Sequence, residues 1–319
     1  MQTEVRTVDI NAQAQNIIAQ VRKVVVGKDR VLVWALSTML AGGHILLEDI
    51  PGVGKTTMAL AFSKSLQLEC NRVQFTPDVL PSDVTGYSVP NQATGEMQYR
   101  QGAVLCNLFL ADELNRATSR TQSALLEAME EGQVTVDGVA HKLPKPFVVI
   151  ATQNPTGAAG TQLLPDSQMD RFTICMSLGY PSMEEERNMV LGRQGKDPMQ
   201  ELKPLLTKET LAAMQEEVSR TYISNAVVEY IVKLIDATRS HEHILRGASP
   251  RATLSVVAVA KAIAQLRGRD YVVPKDVQEV FLRTIPHRLL LKPQAESSGI
   301  TAAQVLKSIV EQIGAPLAR

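Results

Sequence analysis

The chain carries no excess of either charge: Lys and Arg total 33, and Asp and Glu total 33, in 319 residues. That balance argues against a dedicated nucleic-acid or membrane-surface binder, which a basic excess would mark. Cysteine is scarce. Cys70, Cys106 and Cys175 show no C-x-x-C spacing and no nearby His partner, and an odd count suits no disulfide framework. They read as small buried apolar residues in a reducing compartment. Long apolar runs are missing too. The longest, Val31 to Leu47, is interrupted by Ser37, Thr38, Gly42, Gly43 and His44, too short and broken to span a bilayer. Met1 to Val8 carries Glu4 and Arg6 and lacks the apolar stretch of a signal peptide. These absences point to a cytoplasmic protein without membrane insertion.

What is present alternates. Apolar spacing predicts helices over Asn11 to Arg22, Val31 to Ala41, Thr56 to Leu66 and Thr118 to Glu130. Between them, His44 to Glu48, Asn71 to Thr76, Leu105 to Asp112 and Phe147 to Thr152 read as strands, a pattern that implies a mostly parallel α/β sheet covered on both faces. Gln133 to Val136 and Val139 to Leu143, joined at Asp137-Gly138, predict a β-hairpin. After Tyr180-Pro181 only helices are expected: Ser182 to Gly192, Lys208 to Thr221, Ala226 to Arg239, Pro250 to Arg267 and Pro274 to Leu290. The expected division is an α/β domain over 1–181, an all-α domain over 182–292, and a helical or loosely ordered tail over 293–319.

The chemistry begins at Asp49-Ile-Pro-Gly-Val-Gly-Lys-Thr56. Gly52 and Gly54 allow the backbone to approach phosphate oxygens and turn its N–H groups inward. The helix that follows adds its positive end. Lys55 would meet the β- and γ-phosphates of ATP, and the Thr56 hydroxyl would ligate Mg²⁺. The strict pattern has glycine where Asp49 stands, and Asp tolerates the turn. Leu108 to Ala111 is an apolar strand ending in Asp112 and Glu113. Two adjacent acids there suit a metal held through Asp112 and a water polarised by Glu113. Asn154 follows the next core strand and could hold that water from the other side. Arg171 and Arg251 offer guanidinium groups for charge developing on a transferred phosphoryl group. Arg251 opens a helix of the second domain, from which it could reach back over the nucleotide.

Taken together these motifs resemble the AAA+ ATPases, and within them the MoxR group, over nearly the whole chain. The resemblance rests on Val26-Gly-Lys-Asp29, His44 to Thr56, Phe75 to Gly86, Leu110-Ala-Asp-Glu-Leu-Asn-Arg-Ala117, Ala124 to Met129, Ala151 to Pro155, Leu164 to Phe172 and Gly247-Ala-Ser-Pro-Arg251. It implies a P-loop core with a parallel sheet sandwiched by helices, then a smaller all-α lid. It also implies a homo-hexameric ring with ATP and Mg²⁺ at subunit interfaces, bound by Val26, Gly27, Gly52, Val53, Gly54, Lys55, Thr56 and Thr57. Thr56 and Asp112 match the metal-binding positions. Glu113 and Asn154 match the water-activating acid and sensor 1, Arg171 an arginine finger acting in trans, and Arg251 sensor 2. The hairpin over Gln133 to Leu143 resembles the pre-sensor 1 insertion, and Thr76 to Gln101 the helix-2 insertion. Two stretches depart from the family pattern: Thr156-Gly-Ala-Ala159 lacks an acid, and Gly102-Ala-Val104 lacks a proline.

The function implied is chaperone-like: ATP hydrolysis in a ring that remodels or matures a protein client, with a von Willebrand factor A domain partner and metallo-enzyme activation as expectations. The alternative, a DNA-translocating motor, would want a basic, aromatic-bearing pore loop. Glu131 to Lys145 offers only His141, Lys142 and Lys145 against Glu131 and Asp137, with no aromatic residue. A non-catalytic scaffold would need a missing acid or arginine, and none is missing.

Overall fold

A computed structural model of the chain describes residues 9–50, 52–154, 164–192 and 197–316. Helices α1 (Ile10–Val21) and α2 (Asp29–Leu40) precede strand β1 (Ile45–Glu48), followed by α3 (Lys55–Ser65) and β2 (Cys70–Gln74). A short helix α4 (Pro81–Thr85) leads into the hairpin of β3 (Gly86–Pro90) and β4 (Met97–Gln101). Next come β5 (Leu108–Asp112), α5 (Ser119–Glu131), β6 (Gln133–Val136), β7 (Val139–Lys142), β8 (Val148–Gln153), α6 (Asp166–Met169) and β9 (Ile174–Met176). The second half holds α7 (Met183–Gly192), α8 (Pro198–Glu201), α9 (Lys208–Arg220), α10 (Asn225–Ser240) and β10 (Ile244–Arg246). It ends with α11 (Pro250–Leu266), α12 (Pro274–Thr284), β11 (Leu290–Leu291), α13 (Pro293–Ser297) and α14 (Ala302–Gln312).

Five strands form one parallel sheet in the order β2-β5-β8-β1-β9. Successive side chains of a strand point to opposite faces, and the two cores obey that rule. Ile45, Leu47, Leu108, Leu110, Val148 and Ile150 pack under α1, α2 and α3 with Ile17, Leu36 and Phe62. Their neighbours Leu46, Phe109, Ala111, Val149 and Ala151 pack on the other face with Leu125, Leu126 and Phe172. The central strands are therefore apolar on both faces up to their carboxyl ends, over Ile45 to Leu47, Leu108 to Ala111 and Val148 to Ala151, as a sheet buried on both faces requires.

The predicted hairpin forms with a two-residue turn. Asp137 and Gly138 both take positive φ (51° and 79°), the pairing that closes β6 onto β7 in the hand of the sheet twist. The insertion between β2 and β5 holds a second hairpin, β3–β4, that periodicity did not reveal. The two hairpins meet where Tyr99 stacks on His141, ring centroids 3.7 Å apart.

Two expectations for the second half change. It is not wholly helical, since β10 and β11 form a small antiparallel ribbon. Packing also does not switch at Pro181: Leu202, Leu206, Leu211 and Met214 join the core beneath the sheet, and only from Val227 onward does a separate core appear, built on Ile231, Leu234, Val256 and Phe281. Beyond Lys292 the described residues take the helical form of the expected tail, as α13 and α14. Thr301 and Gln304 cap α14 reciprocally, and Val305, Leu306 and Ile309 are buried in the second core. Cys106 is fully buried but Cys70 and Cys175 only half so. Among the described residues no helix is long and apolar enough to cross a membrane.

Candidate functional site

The Gly-rich loop leaves β1 at the carboxyl end of the sheet. Gly52 and Gly54 take φ of 86° and 98°, a region costly for residues with a Cβ, and neither has a heavy atom near the place a Cβ would fill. That open cradle faces the first turn of α3. Lys55 is buried, and its ammonium donates to the Asp49 carbonyl at 2.6 Å. Burial lowers its pKa, while the charges of Asp49, Asp112 and Glu113 oppose that shift. Beside the loop a cavity of about 180 Å³ is lined by Val24, Val26, Val53, Thr57, Glu185 and Met189. Gly27, at φ 74°, lies so close to Glu185 that a Cβ would overlap its carboxylate.

Asp49 does more than tolerate its turn. Its carboxylate accepts from the Ser177 hydroxyl at 2.9 Å and from the amides of Leu178 and Gly179, tying the loop to the chain that leaves β9. The strict pattern's glycine could make none of these bonds.

The end of β5 lies beside the loop. Asp112 Oδ2 is 3.3 Å from the Thr56 hydroxyl, which donates to it, and Asp112 Oδ1 accepts from Thr152 at 2.6 Å. Thr152 also accepts from the Glu113 amide at 2.9 Å, so one buried hydroxyl positions both acids. Arg72 from β2 places its guanidinium on Asp112 Oδ2 at 2.8 Å. Glu113 sits at φ 55°, an uncommon conformation for a residue with a side chain. Arg116 donates to its Oε2 at 2.8 Å, and Asn154 Nδ2 approaches its Oε1 at 3.5 Å. Sequence reasoning missed Arg72, Thr152 and Arg116. For Thr152 the signal was its place two residues before Asn154, directly after the apolar run Val148 to Ala151.

These residues fit ATP and Mg²⁺. Among the described residues no group of three or more His, Cys, Asp or Glu is placed to cage a metal. The site instead offers one hydroxyl and one carboxylate, the sparse oxygen set that suits an ion held partly by phosphates and water. The buried ammonium and the open glycine cradle supply the complementary charge for those phosphates.

The two arginines lie elsewhere. His44, just before β1, meets the Met129 carbonyl at 3.3 Å, and its own carbonyl accepts from the Thr173 amide at 2.9 Å. Glu130 and Arg171 therefore flank the amino end of the sheet. Helix α5 starts near the Asp112–Glu113 edge and, at about 1.5 Å per residue from Ser119, carries Glu130 about 16 Å along its axis away from it. Arg171 bonds Glu130 Oε2 at 3.0 Å, and Arg251 bonds Glu130 Oε1. So Arg251 does not reach over its own phosphate loop; it joins Arg171 at the opposite edge. Behind them Asp170 accepts from Ser249 at 2.8 Å and faces Arg251 and buried Arg288 at 3.7 and 3.6 Å. The departure at Thr156 to Ala159 lies outside the described residues. At the other departure, a Cβ on Gly102 would fall 2.2 Å from the Gly86 amide nitrogen.

Comparison with known proteins agrees with this geometry. Residues 44–174 match the model for the ATPase family associated with various cellular activities (AAA), and residues 236–309 match the AAA lid domain. The chain is similar to the uncharacterised protein YeaC of Bacillus subtilis, 43% identical over 98% of this chain and 97% of that one. It is similar to chaperone MoxR1 of Mycobacterium tuberculosis, 38% identical over 95% of this chain and 82% of that one. A crystal structure from Cytophaga hutchinsonii, of a protein assigned as an ATPase, superposes with a TM-score of 0.89 at 36% identity, covering 97% of this chain and 96% of that one.

Proposed function

The chain belongs to the MoxR group of AAA+ ATPases, and on that premise we propose that it hydrolyses ATP in a homo-hexameric ring to remodel a protein client. The observation that carries this reading is the separation of its two charged edges. Lys55, Thr56, Asp112, Glu113 and Asn154 gather at one end of the sheet, and Arg171 and Arg251 at the other. A single subunit cannot bring both to one phosphate, whereas a ring of like-oriented copies can.

In that ring Gly52, Val53, Gly54, Lys55, Thr56 and Thr57 cradle the phosphates, and Val26 and Gly27 border the base. Thr56 and Asp112 would hold Mg²⁺, which would supply neutralisation of charge on the phosphates. Glu113 takes a proton from the attacking water while Asn154 orients it. Arg171 and Arg251 of the adjacent subunit stabilise charge on the transferred phosphoryl group. On the same reading residues 1–181 form the ATPase core, 182–292 the lid and 293–319 its tail, with α9 a shared wall. The two hairpins expose Tyr87, Met97 and Val139, a surface that suits apolar client segments more than nucleic acid. A relative named a chaperone supports the client reading; resemblance to the MoxR group brings a von Willebrand factor A domain partner and metallo-enzyme activation into this proposal, and the composition brings a cytoplasmic setting.

The test is complementation between crippled subunits. Arg171→Ala should bind ATP with wild-type affinity and hydrolyse it about 10³-fold more slowly. Mixing it with Lys55→Ala, which is inactive for want of phosphate binding, should restore measurable turnover, because each supplies what the other lacks. Mixed rings as dead as their parents would sink the trans assignment.

A further inference from the structure

At the arginine edge three guanidinium groups, Arg171, Arg251 and Arg288, face two carboxylates, Glu130 and Asp170. Their tasks differ. Asp170 is part of the frame: it holds the Ser249 hydroxyl that caps α11 and lies against buried Arg288, whose own Nη2 is fixed by the Phe172 carbonyl at 2.8 Å and the Ser255 hydroxyl at 3.0 Å. Glu130 has no such anchoring. It lies in the last turn of α5, borders an open cavity of about 720 Å³ that Glu131, Lys142 and Lys145 also line, and gives one oxygen to each of the two outer arginines.

A carboxylate bridging two arginines presents two anionic oxygens on one central atom. A terminal phosphoryl group presents three oxygens and more charge in the same space, and arginine forks match either. We propose that Glu130 is a resident stand-in for a phosphoryl group: it holds Arg171 and Arg251 within their own subunit until a neighbouring subunit's ATP displaces it. This rests on the trans reading above. The half-exposed pairs make the exchange feasible, since a carboxylate at the rim of an open cavity regains water when released. The cavity, lined by Glu131, Lys142 and Lys145 but by neither arginine, gives the released Glu130 carboxylate a hydrated space to turn into. Frame and latch then have separate parts: Asp170 and Arg288 set where the arginines stand, and Glu130 sets when they are free.

Glu130→Gln keeps the shape and removes the charge. The first measurement needs no neighbour: inorganic phosphate is titrated into nucleotide-free Lys55→Ala protein and followed by phosphorus NMR, the Lys55 change silencing the chain's own phosphate loop. Adding Glu130→Gln should lower the phosphate Kd by about threefold to tenfold, the scale of losing two partly exposed ion pairs. Adding Arg171→Ala on top should abolish that gain. The second measurement uses the otherwise wild-type ring, where Glu130→Gln should lower KM for ATP by a similar factor without lowering kcat. Unchanged phosphate affinity, or a kcat that falls as it does in Arg171→Ala, would overturn the proposal and make Glu130 a support for the arginines. Gained phosphate affinity with unchanged KM would keep the counter-ion role and discard the trans reading. Should the Gln variant fold poorly, Glu130→Asp, too short to bridge both arginines, should shift both constants the same way by less.

Discussion

The two ends of the central sheet are built on opposite principles. At the carboxyl end, anionic side chains wait for a cation and a polyphosphate. Asp112 and Glu113 are set by one buried hydroxyl, and Arg72 and Arg116 already stand on them as local counter-ions. At the amino end the signs reverse: Arg171 and Arg251 both rest on Glu130, and Arg288 rests on Asp170 behind them. Each end carries charges already satisfied by a group of opposite sign, so neither depends on ligand to fold. The two half-sites are thus complete as structures and incomplete as chemistry.

Disabling one end and reading the other puts this division of labour under the greatest stress. Glu113→Gln should reduce ATP hydrolysis by about 10²- to 10⁴-fold, the usual range for a positioned general base. Bound nucleotide should persist, and the variant should still supply working arginines to a Lys55→Ala partner. Equal loss of nucleotide binding, read by a fluorescent ATP analogue, would mean that Glu113 is a binding group and that the division is drawn wrongly.

A smaller effect tests how the phosphate end is organised. Thr152→Val removes a buried hydroxyl that donates to Asp112 and accepts from Glu113 while keeping its volume. Because outer partners of a metal-binding carboxylate typically matter by 10- to 100-fold, Mn²⁺ affinity in the presence of ADP should fall by about tenfold. Phosphate exchange at the arginine end should not move. Parallel loss at both ends would show that the sheet couples them.

Asp49 gives the next step down. Asp49→Gly restores the strict phosphate-loop pattern, and by sequence alone it should improve the site. The structure reverses that expectation. The glycine removes the acceptor for Ser177, Leu178 and Gly179, and a lost set of buried hydrogen bonds costs about 1–3 kcal/mol. Denaturant unfolding should therefore show a less stable chain, and ATP should bind less tightly.

The reasons such residues escaped or met the eye in the sequence are physical. Strand β5 was legible because Leu108 to Ala111 is apolar at every position and ends in two acids, a pairing that a buried strand rarely tolerates away from a cation. The type of turn at Asp137-Gly138 was legible because so few residues accept two successive positive φ values. Strand β9 was not, since three residues carry no periodicity. Hairpin β3–β4 was not, because most of its side chains stay exposed or half-exposed and leave no alternating pattern. Asn154 could be picked by its place after a core strand, and Arg171 by its place near the end of the α/β domain. The position of Arg251 could not, because it depends on how the second core docks through Trp34, Ala41 and Leu266, residues that touch both cores. Glu130 was invisible for the same reason: on a helix end, an acid beside Glu131 looks like any solvated pair.

The finest distinction between the two ends is their response to acid. His44 is buried, takes the Val149 amide on Nδ1 at 3.0 Å and approaches the Met129 carbonyl with Nε2. The ring is therefore neutral with its proton on Nε2, and burial pushes its pKa from 6.5 to about 4. A folded-state pKa below the unfolded one means the unfolded chain binds the proton first. The stabilisation is then complete above pH 6.5 and is lost as pH falls through 6.5 toward 4. Between about pH 6.5 and 5.5 this one ring should account for about 1 kcal/mol of lost stability. His287, buried beside Arg288 and pushed down to about 3, adds to the same trend and also lies at the arginine end. Acid should thus loosen that end first. Amide hydrogen exchange at about pH 5.5 should quicken around Met129 and Glu130 while the first turn of α3 stays protected, and His44→Gln should flatten the pH dependence of the unfolding midpoint. Equal quickening at both ends would place the acid-sensitive groups elsewhere and remove the last difference between the two edges.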